Sequence, residues 1–372
     1  MTGKKIIEEV IGRARDLSVY DVGETIEGLA LKLGKKPNEI LKLNSNENLF
    51  ISIDLLKDVL RQVVEEIDPR LYPRDEYKHL RKAISSLIGI PEECIVIGAG
   101  SDQLIDLVSR TFLGRGDEAL SIEPTFSIYE RCVRVHGANY RSIPLRDDFS
   151  LDVDSMLSTL TPRTKIIFLC SPNNPTANQF RREDILDLVE EFEGPVAVDE
   201  TYADFSGITL ADIAKDFDNL IVFRTFSKTF GLAGLRVGYL VTNRRLAKVI
   251  EERFQMPYSV SVIALKAATK MIERWDEIAE TINAIRREKT DLIDALNGIA
   301  GVRAFPSETN FVLFQVNRDS QIIYKSLLSR GIIIRNIGRV LKFNSCLRVT
   351  VAPRHVMERF VKELMEVMYE DA

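Results

Sequence analysis

Between Cys94 and Val241 the chain alternates short apolar runs with amphipathic stretches, and this alternation restricts the folds open to it. Seven runs read as strands: Cys94–Gly98, Glu118–Ile122, Asn139–Ile143, Lys165–Cys170, Pro195–Asp199, Leu220–Arg224 and Arg236–Val241. Several are rich in Val and Ile and apolar throughout, the pattern of strands covered on both faces. Helical periodicity fills many of the gaps, as in Ser101–Phe112 and Arg182–Glu191. Strand, helix and strand in repetition predict an α/β fold with an open, mostly parallel seven-stranded sheet flanked by helices.

After Val241 the rhythm changes. Residues 244–297 read as long helices, including the charged stretch Trp275–Leu296. Two apolar strands follow, Asn310–Phe314 and Gly331–Arg335, then Cys346–Val351 and a final helix, Arg354–Tyr369. These predict a smaller α+β domain. The N-terminal segment carries its own helix ahead of the first large-sheet strand, and is expected to pack with the small domain. The expected division is therefore 1–43 as an N-terminal arm, 44–265 as a large domain and 266–372 as a small C-terminal domain, which 372 residues can accommodate.

The formal net charge of −5 with both signs mixed offers no basic surface for nucleic acid or an anionic membrane. No apolar run approaches the roughly 18 residues of a membrane span. The N-terminus MTGKKIIEEVIGRARDL mixes charges at helical spacing and lacks a signal-peptide core, so a cytoplasmic protein is expected. The four cysteines form no CxxC pair and sit among apolar residues, which predicts buried free thiols. The three histidines fall in no metal-ligand spacing, and no metal is expected.

Four motifs lie where predicted strands end. TFSKTFGLAGLR, residues 225–236, follows the run Leu220–Arg224. Open α/β sheets bind ligands at such strand ends. There the hydroxyls of Thr225 and Ser227 flank Lys228, and a Gly-rich loop can return Arg236 toward them. An amine with hydroxyls and a guanidinium nearby suits a phosphate-bearing aldehyde cofactor: the amine forms the imine, the others hold the phosphate. Taken alone, the stretch also reads as a loop with a solvated Lys and a surface Arg. In AVDETY, residues 197–202, Asp199 closes an apolar strand and needs a partner. A pyridine nitrogen would serve, kept protonated by the carboxylate, and Tyr202 could donate to a phenolic oxygen of the same ring. An N-cap Asp with a core Tyr is the plain alternative.

SPNNPT, residues 171–176, also follows an apolar strand, and Pro175 biases Asn174 toward a turn that presents its amide to a ligand. An ordinary β-turn uses the same residues. Finally, GAGSDQ, residues 98–103, joins a strand to a helix, where glycines permit close approach and free N–H groups of Ser101 and Asp102 make an anion site. The full GxGxxG fingerprint with its later acidic residue is absent, which argues against a nicotinamide dehydrogenase.

With SPNNPT, VDETY and TFSKTFGLAGLR in this order, nearly the whole chain resembles the fold-type I pyridoxal 5′-phosphate (PLP) aminotransferases of class I/II. It is most similar to the histidinol-phosphate aminotransferases, through NSNEN (44–48), LYP (71–73), GAGSDQ, EPTF (123–126), Arg335 and CLR (346–348). The resemblance implies that Lys228 carries PLP as a Schiff base and shuttles the proton, that Asp199 pairs with the pyridine nitrogen, and that Asn174 and Tyr202 hold the phenolic oxygen. It implies that Phe126 stacks on the ring and that Ser101, Asp102, Thr225, Ser227 and Arg236 cradle the phosphate. Tyr72 would reach the cofactor phosphate of a second subunit, making a homodimer the functional unit. Arg348 would grip the substrate's anionic end, with Arg335, Tyr20 and Asn48 on the substrate side. Two guanidiniums in one pocket suit a doubly charged phosphate monoester.

The implied reaction is transamination of L-histidinol phosphate with 2-oxoglutarate in histidine biosynthesis. Rivals within the fold are an aromatic amino-acid aminotransferase and a threonine-phosphate decarboxylase. A PLP-sensing regulator would need a DNA-binding domain for which the short N-terminal segment leaves no room. Departures from the pattern fall on Ala177, where relatives carry Gly, on Leu49-Phe50 after NSNEN, and on the loose Val19-Tyr20-Asp21-Val22 segment.

Overall fold

The computed structural model describes residues 2–15, 17, 19 and 22–370. A short strand, β1 (Leu41–Lys42), precedes the large sheet. That sheet comprises β2 (Ile95–Gly98), β3 (Glu118–Glu123), β4 (Asn139–Pro144), β5 (Thr164–Cys170), β6 (Val196–Asp199), β7 (Leu220–Thr225) and β8 (Gly238–Val241). Its order is β2-β8-β7-β6-β5-β3-β4. Pairs among β3 to β7 are parallel, and β8 runs antiparallel to both neighbours. Parallel pairing needs a crossover, usually a helix. Between β7 and β8 the chain makes only the 3-10 turn Ala233–Leu235, so β8 returns antiparallel.

Successive residues of the strands serve opposite faces. Ile167, Leu169, Val196, Val198, Leu220 and Val222 join one core cluster, while Ile166, Phe168, Ala197, Ile221 and Phe223 join another beneath the helices Gly100–Phe112 and Ile128–Val135. Both faces are thus dry, which is why these runs read as apolar throughout. Each fully buried Val, Leu, Ile or Phe contributes about 1.5–3 kcal/mol.

The remaining strands are β9 (Val302–Ala304), β10 (Phe311–Val316), β11 (Ile332–Ile333), β12 (Arg335–Val340) and β13 (Phe343–Thr350). They form an antiparallel sheet β12-β13-β10-β9, while β11 pairs in parallel with β1. The expected strand Gly331–Arg335 is therefore two: Ile332–Ile333 faces β1, and Arg335 opens a hairpin with β13. Polar and charged residues in that hairpin (RNIGRVLKFNSC) hide its period, and β12 shifts register around Gly338, at φ 76°. The expected strand from Arg236 begins instead at Gly238, because Arg236 is left-handed at φ 53°. The final helix spans Arg354–Tyr369 as read from its pattern. All four cysteines are free and buried. Among the described residues no helix is long and apolar enough to cross a membrane.

The strand order reverses between β3 and β5, which opens a crevice at their carboxyl ends. One buried ion network fixes the neighbouring edge. From β7, Arg224 contacts Glu200 at 3.1 Å and Asp204, both just past β6. Glu200 also accepts from Thr209 Oγ1 and the Leu210 N–H. Arg224→Met would strand a buried carboxylate, a loss of about 3–5 kcal/mol. The expected outcome is a lower urea midpoint at unchanged m value, measured by equilibrium unfolding.

Candidate active site

A cavity of about 570 Å³ opens at the carboxyl ends of the large-sheet strands, and its far wall comes from β12 and β13. This is within the usual range for small-molecule sites. Lys228 enters it from the loop after β7. The next residue is held from two sides: Thr229 Oγ1 donates to Asp204, and Asn48 Nδ2 donates to the Thr229 carbonyl at 2.9 Å. The Lys228 amine donates to the Ser45 carbonyl at 2.7 Å. Burial pushes its pKa down to about 8, against the opposing pull of Glu47. The neutral form is therefore a minor fraction near neutral pH, far larger than for an ordinary lysine.

Asp199 closes β6 beside Cys170 of β5, its register partner. It is 2% exposed. Oδ1 accepts the Thr201 N–H at 3.0 Å and the Thr201 hydroxyl at 2.6 Å, and Oδ2 accepts the Tyr129 hydroxyl at 2.9 Å. Burial raises the Asp199 pKa and these donors oppose it. All three donors are neutral, and among the described residues the carboxylate has no ion pair. Tyr129 and Thr201 escaped the sequence reading, although a Tyr on the buried face of an amphipathic helix must place its hydroxyl somewhere. Cys170 lines the same cavity and donates its thiol to the Pro172 carbonyl at 3.3 Å; burial and then Asp199 raise its pKa. Tyr202 is buried against Phe311, edge to face at 5.2 Å, and its oxygen accepts Asn46 Nδ2 at 2.9 Å.

A cradle of hydroxyl, N–H and guanidinium donors lies on the β8 side. The helix Gly100–Phe112 begins there, with Ser101 buried and Asp102 exposed. Arg236 bends over it, donating to Asp102 Oδ2 at 3.0 Å and to Ser227 Oγ at 3.3 Å. Thr225 Oγ1 donates to Ser227 Oγ at 3.1 Å. Gly100 has φ 84°, and a Cβ there would meet Arg236 Nη2 at 2.6 Å. Phe126 forms part of the wall beside the β3–β5 crevice, set edge to face on Tyr129.

Opposite stand Arg335 and Arg348, register partners across β12 and β13 that both reach the cavity. Arg348 donates to Asn174 Oδ1 and to the Asn44 carbonyl at 2.8 Å, with its guanidinium 5.1 Å from the Phe311 ring centre. Asn174 therefore presents its NH₂ as its remaining polar group. Arg339 also lines the cavity and was not foreseen; its Nε donates to the Leu341 carbonyl at 2.8 Å.

Two expected residues lie elsewhere. Asn48 sits outside the cavity with its amide committed, Nδ2 to Thr229 and Oδ1 to the Phe50 N–H, so it supports the Lys228 loop instead of meeting a substrate. Tyr72, 76% exposed, stacks on Tyr258 at 4.7 Å and does not reach this chain's cavity. Tyr20 lies outside the described residues. Ala177 keeps the left-handed φ of 66° despite its Cβ, so the turn after SPNNPT is preserved under local strain.

Residues 38–364 match the family model for aminotransferase class I and II. The chain is 35% identical over 329 residues to a histidinol-phosphate aminotransferase of Thermoanaerobacter sp. (strain X514), covering 88% of this chain and 93% of the relative. It is 36% identical over 351 residues to the histidinol-phosphate aminotransferase of Methanosarcina mazei, covering 93% of each. Among solved structures it is similar to the histidinol-phosphate aminotransferase of Sinorhizobium meliloti in complex with pyridoxal-5′-phosphate, with a TM-score of 0.85, 25% identity and 96% of each chain covered.

The cradle depends on close backbone approach. A Cβ on Gly238 would fall 2.8 Å from the Gly100 carbonyl carbon and 2.9 Å from the Ser101 nitrogen. Overpacking of this kind costs about 1–3 kcal/mol. Gly238→Ala should lose that much stability in urea titrations. It should also weaken inorganic phosphate binding in calorimetry by roughly tenfold, the equivalent of about 1.4 kcal/mol.

Proposed function

The chain belongs to the class I and II aminotransferases, and from that premise we propose that it transfers an amino group between histidinol phosphate and 2-oxoglutarate, with PLP as cofactor and a homodimer as the working unit. The observation that carries this reading is the convergence of the Lys228 amine, the Asp199 carboxylate and the Arg335–Arg348 pair on one cavity. The names of the curated relatives support the phosphate substrate over an aromatic amino acid or threonine phosphate.

The residues present fit the cofactor. Asp199 is a buried carboxylate with neutral donors only, which suits a protonated ring nitrogen. The cradle of Ser101, Asp102, Thr225, Ser227 and Arg236 offers N–H, hydroxyl and guanidinium donors of the kind that hold phosphate, around glycines whose added Cβ would fill it. Asn174 and Tyr202 would face the phenolic oxygen and Phe126 the ring. When bound, the protonated ring supplies an electron sink for ionising the Cα–H bond of the amino compound.

The chain's own groups do the rest. Lys228, with its pKa lowered, provides a neutral amine that holds the cofactor and moves a proton at the substrate carbon. Thr201 and Tyr129 donate to Asp199 and oppose the rise in its pKa that burial brings. Arg335 and Arg348 would bind the phosphate of one substrate and a carboxylate of the other, since a planar guanidinium accepts either. Lys228 and Asp199 come from the large-domain side and the two arginines from the small-domain side, so both substrates would be held between the proposed domains 44–265 and 266–372. Exposed Tyr72, which does not line its own cavity, is available to a second subunit, and Tyr20 is proposed for the substrate phosphate.

Lys228→Ala should abolish turnover of histidinol phosphate while leaving the circular dichroism and unfolding curve near wild type. A substrate panel of histidinol phosphate, phenylalanine and threonine phosphate tests the specificity; preference for either of the last two would overturn it. Arg335→Met removes a charge-assisted contact worth about 1.5–3 kcal/mol. It should raise KM for histidinol phosphate roughly 10- to 100-fold with a smaller effect on phenylalanine, as read from steady-state kinetics. Only the neutral amine is nucleophilic, and the lowered pKa places its loss of the proton near 8. PLP uptake by cofactor-free protein, followed by stopped-flow absorbance, should accelerate as pH rises, pass its midpoint near 8 and level off well above it.

A further inference from the structure

Asn46 carries a backbone and side-chain arrangement that the fold alone does not require. It is left-handed at φ 55°, a conformation glycine adopts without strain. Its backbone is fastened from two directions: the N–H donates to Thr350 Oγ1 and the carbonyl accepts Asn310 Nδ2, each at 2.9 Å. The side chain is 2% exposed and borders the cavity. Nδ2 donates to the Tyr202 oxygen at 2.9 Å, while the buried Oδ1 has no hydrogen-bond partner among the described residues. An orphaned acceptor of this kind is costly, and in native structures it marks strain or function.

The Tyr202 hydroxyl makes no other hydrogen bond among the described residues. A phenol has one proton to give and two acceptor positions. Asn46 occupies an acceptor position, so the proton stays available for an acceptor in the cavity, and accepting one bond strengthens the one donated. We propose that Asn46 is a positioning residue: its amide N–H orients and polarises the Tyr202 hydroxyl so that it donates to the phenolic oxygen of the bound cofactor. The inference rests on the PLP reading above. Donation to that oxygen weakens its hold on the neighbouring nitrogen-bound proton, which lowers the pH midpoint of the cofactor's visible band. Arg348, Asp199 and Cys170 also face Tyr202 and stay constant in the comparison.

The test is a pH titration of that band in wild type, Asn46→Gly, Tyr202→Phe and the double variant, each loaded with PLP. Glycine suits the left-handed position, so the variant deletes the amide with little backbone cost. The midpoint should rise in Asn46→Gly by about half a unit or more, by less than in Tyr202→Phe, and no further in the double variant, because the effect runs through one hydroxyl. An unmoved midpoint, or a shift that adds fully to that of Tyr202→Phe, overturns the inference. Should Asn46→Gly not fold, Thr350→Val loosens the same residue and is expected to shift the midpoint less, in the same direction; no movement there is equally fatal. A wild-type protein without a visible band removable by Lys228→Ala would instead sink the PLP reading itself.

Discussion

A sheet whose two faces are both dry can offer polar groups only at the ends of its strands, and everything else in this molecule follows from that constraint. Asp199, Lys228 and the GAGSDQ turn all sit where an apolar strand stops. The backbone there can leave the ladder and turn toward a ligand, and the side chains meet enough solvent or partners to remain polar. The order reversal between β3 and β5 separates two such ends and gives the cavity its width. The Arg224 network fixes the spacing on the other side, tying β7 to the residues beyond β6 and, through Asp204 and Thr229, to the loop that carries Lys228.

The parts legible in the sequence are those in which local pattern and tertiary role agree. The seven strands of the large sheet were readable because burial on both faces leaves an unbroken apolar run. The final helix was readable because its apolar stripe repeats cleanly over Arg354–Tyr369. The β12–β13 hairpin was poorly readable for the opposite reason. Its arginines serve a cavity, and its register shifts around Gly338, so no clean alternation survives. Single residues in strand-end motifs could be placed because each lies within a short rigid turn. Tyr129 could not, since its hydroxyl meets Asp199 from a helix distant in the chain, whereas Thr201 bonds Asp199 from only two residues away and was within reach of the motif itself. Asn48 was assigned to the substrate because it belongs to the same short motif as Asn44 and Asn46. The αL turn at Asn46 sends consecutive side chains to different neighbours, and no periodic rule anticipates that.

The segment 44–48 deserves to be seen as a junction. Within five residues it meets Arg348 through the Asn44 carbonyl, Lys228 through the Ser45 carbonyl, Tyr202 through Asn46, and Thr229 through Asn48. It is itself anchored to Thr350 and Asn310 of the antiparallel sheet region. Groups proposed to hold the substrate's charge and groups proposed to move its proton are thus connected by one short stretch of backbone. Hydrogen bonds through this stretch link the two sides, alongside the shared packing of Tyr202 and Arg348 on Phe311.

Cys170 and Lys228 share the wall of a single cavity, and burial acts on them in opposite senses. Desolvation disfavours charge, so it holds the sulfur as an unreactive thiol while it eases loss of the proton from the nitrogen. Thiolates add readily to carbonyl compounds, and an ionised sulfur here would compete for any electrophile that enters. A poorly solvating pocket therefore acts as a chemical sieve, silencing the intrinsically stronger nucleophile and leaving the weaker one to react.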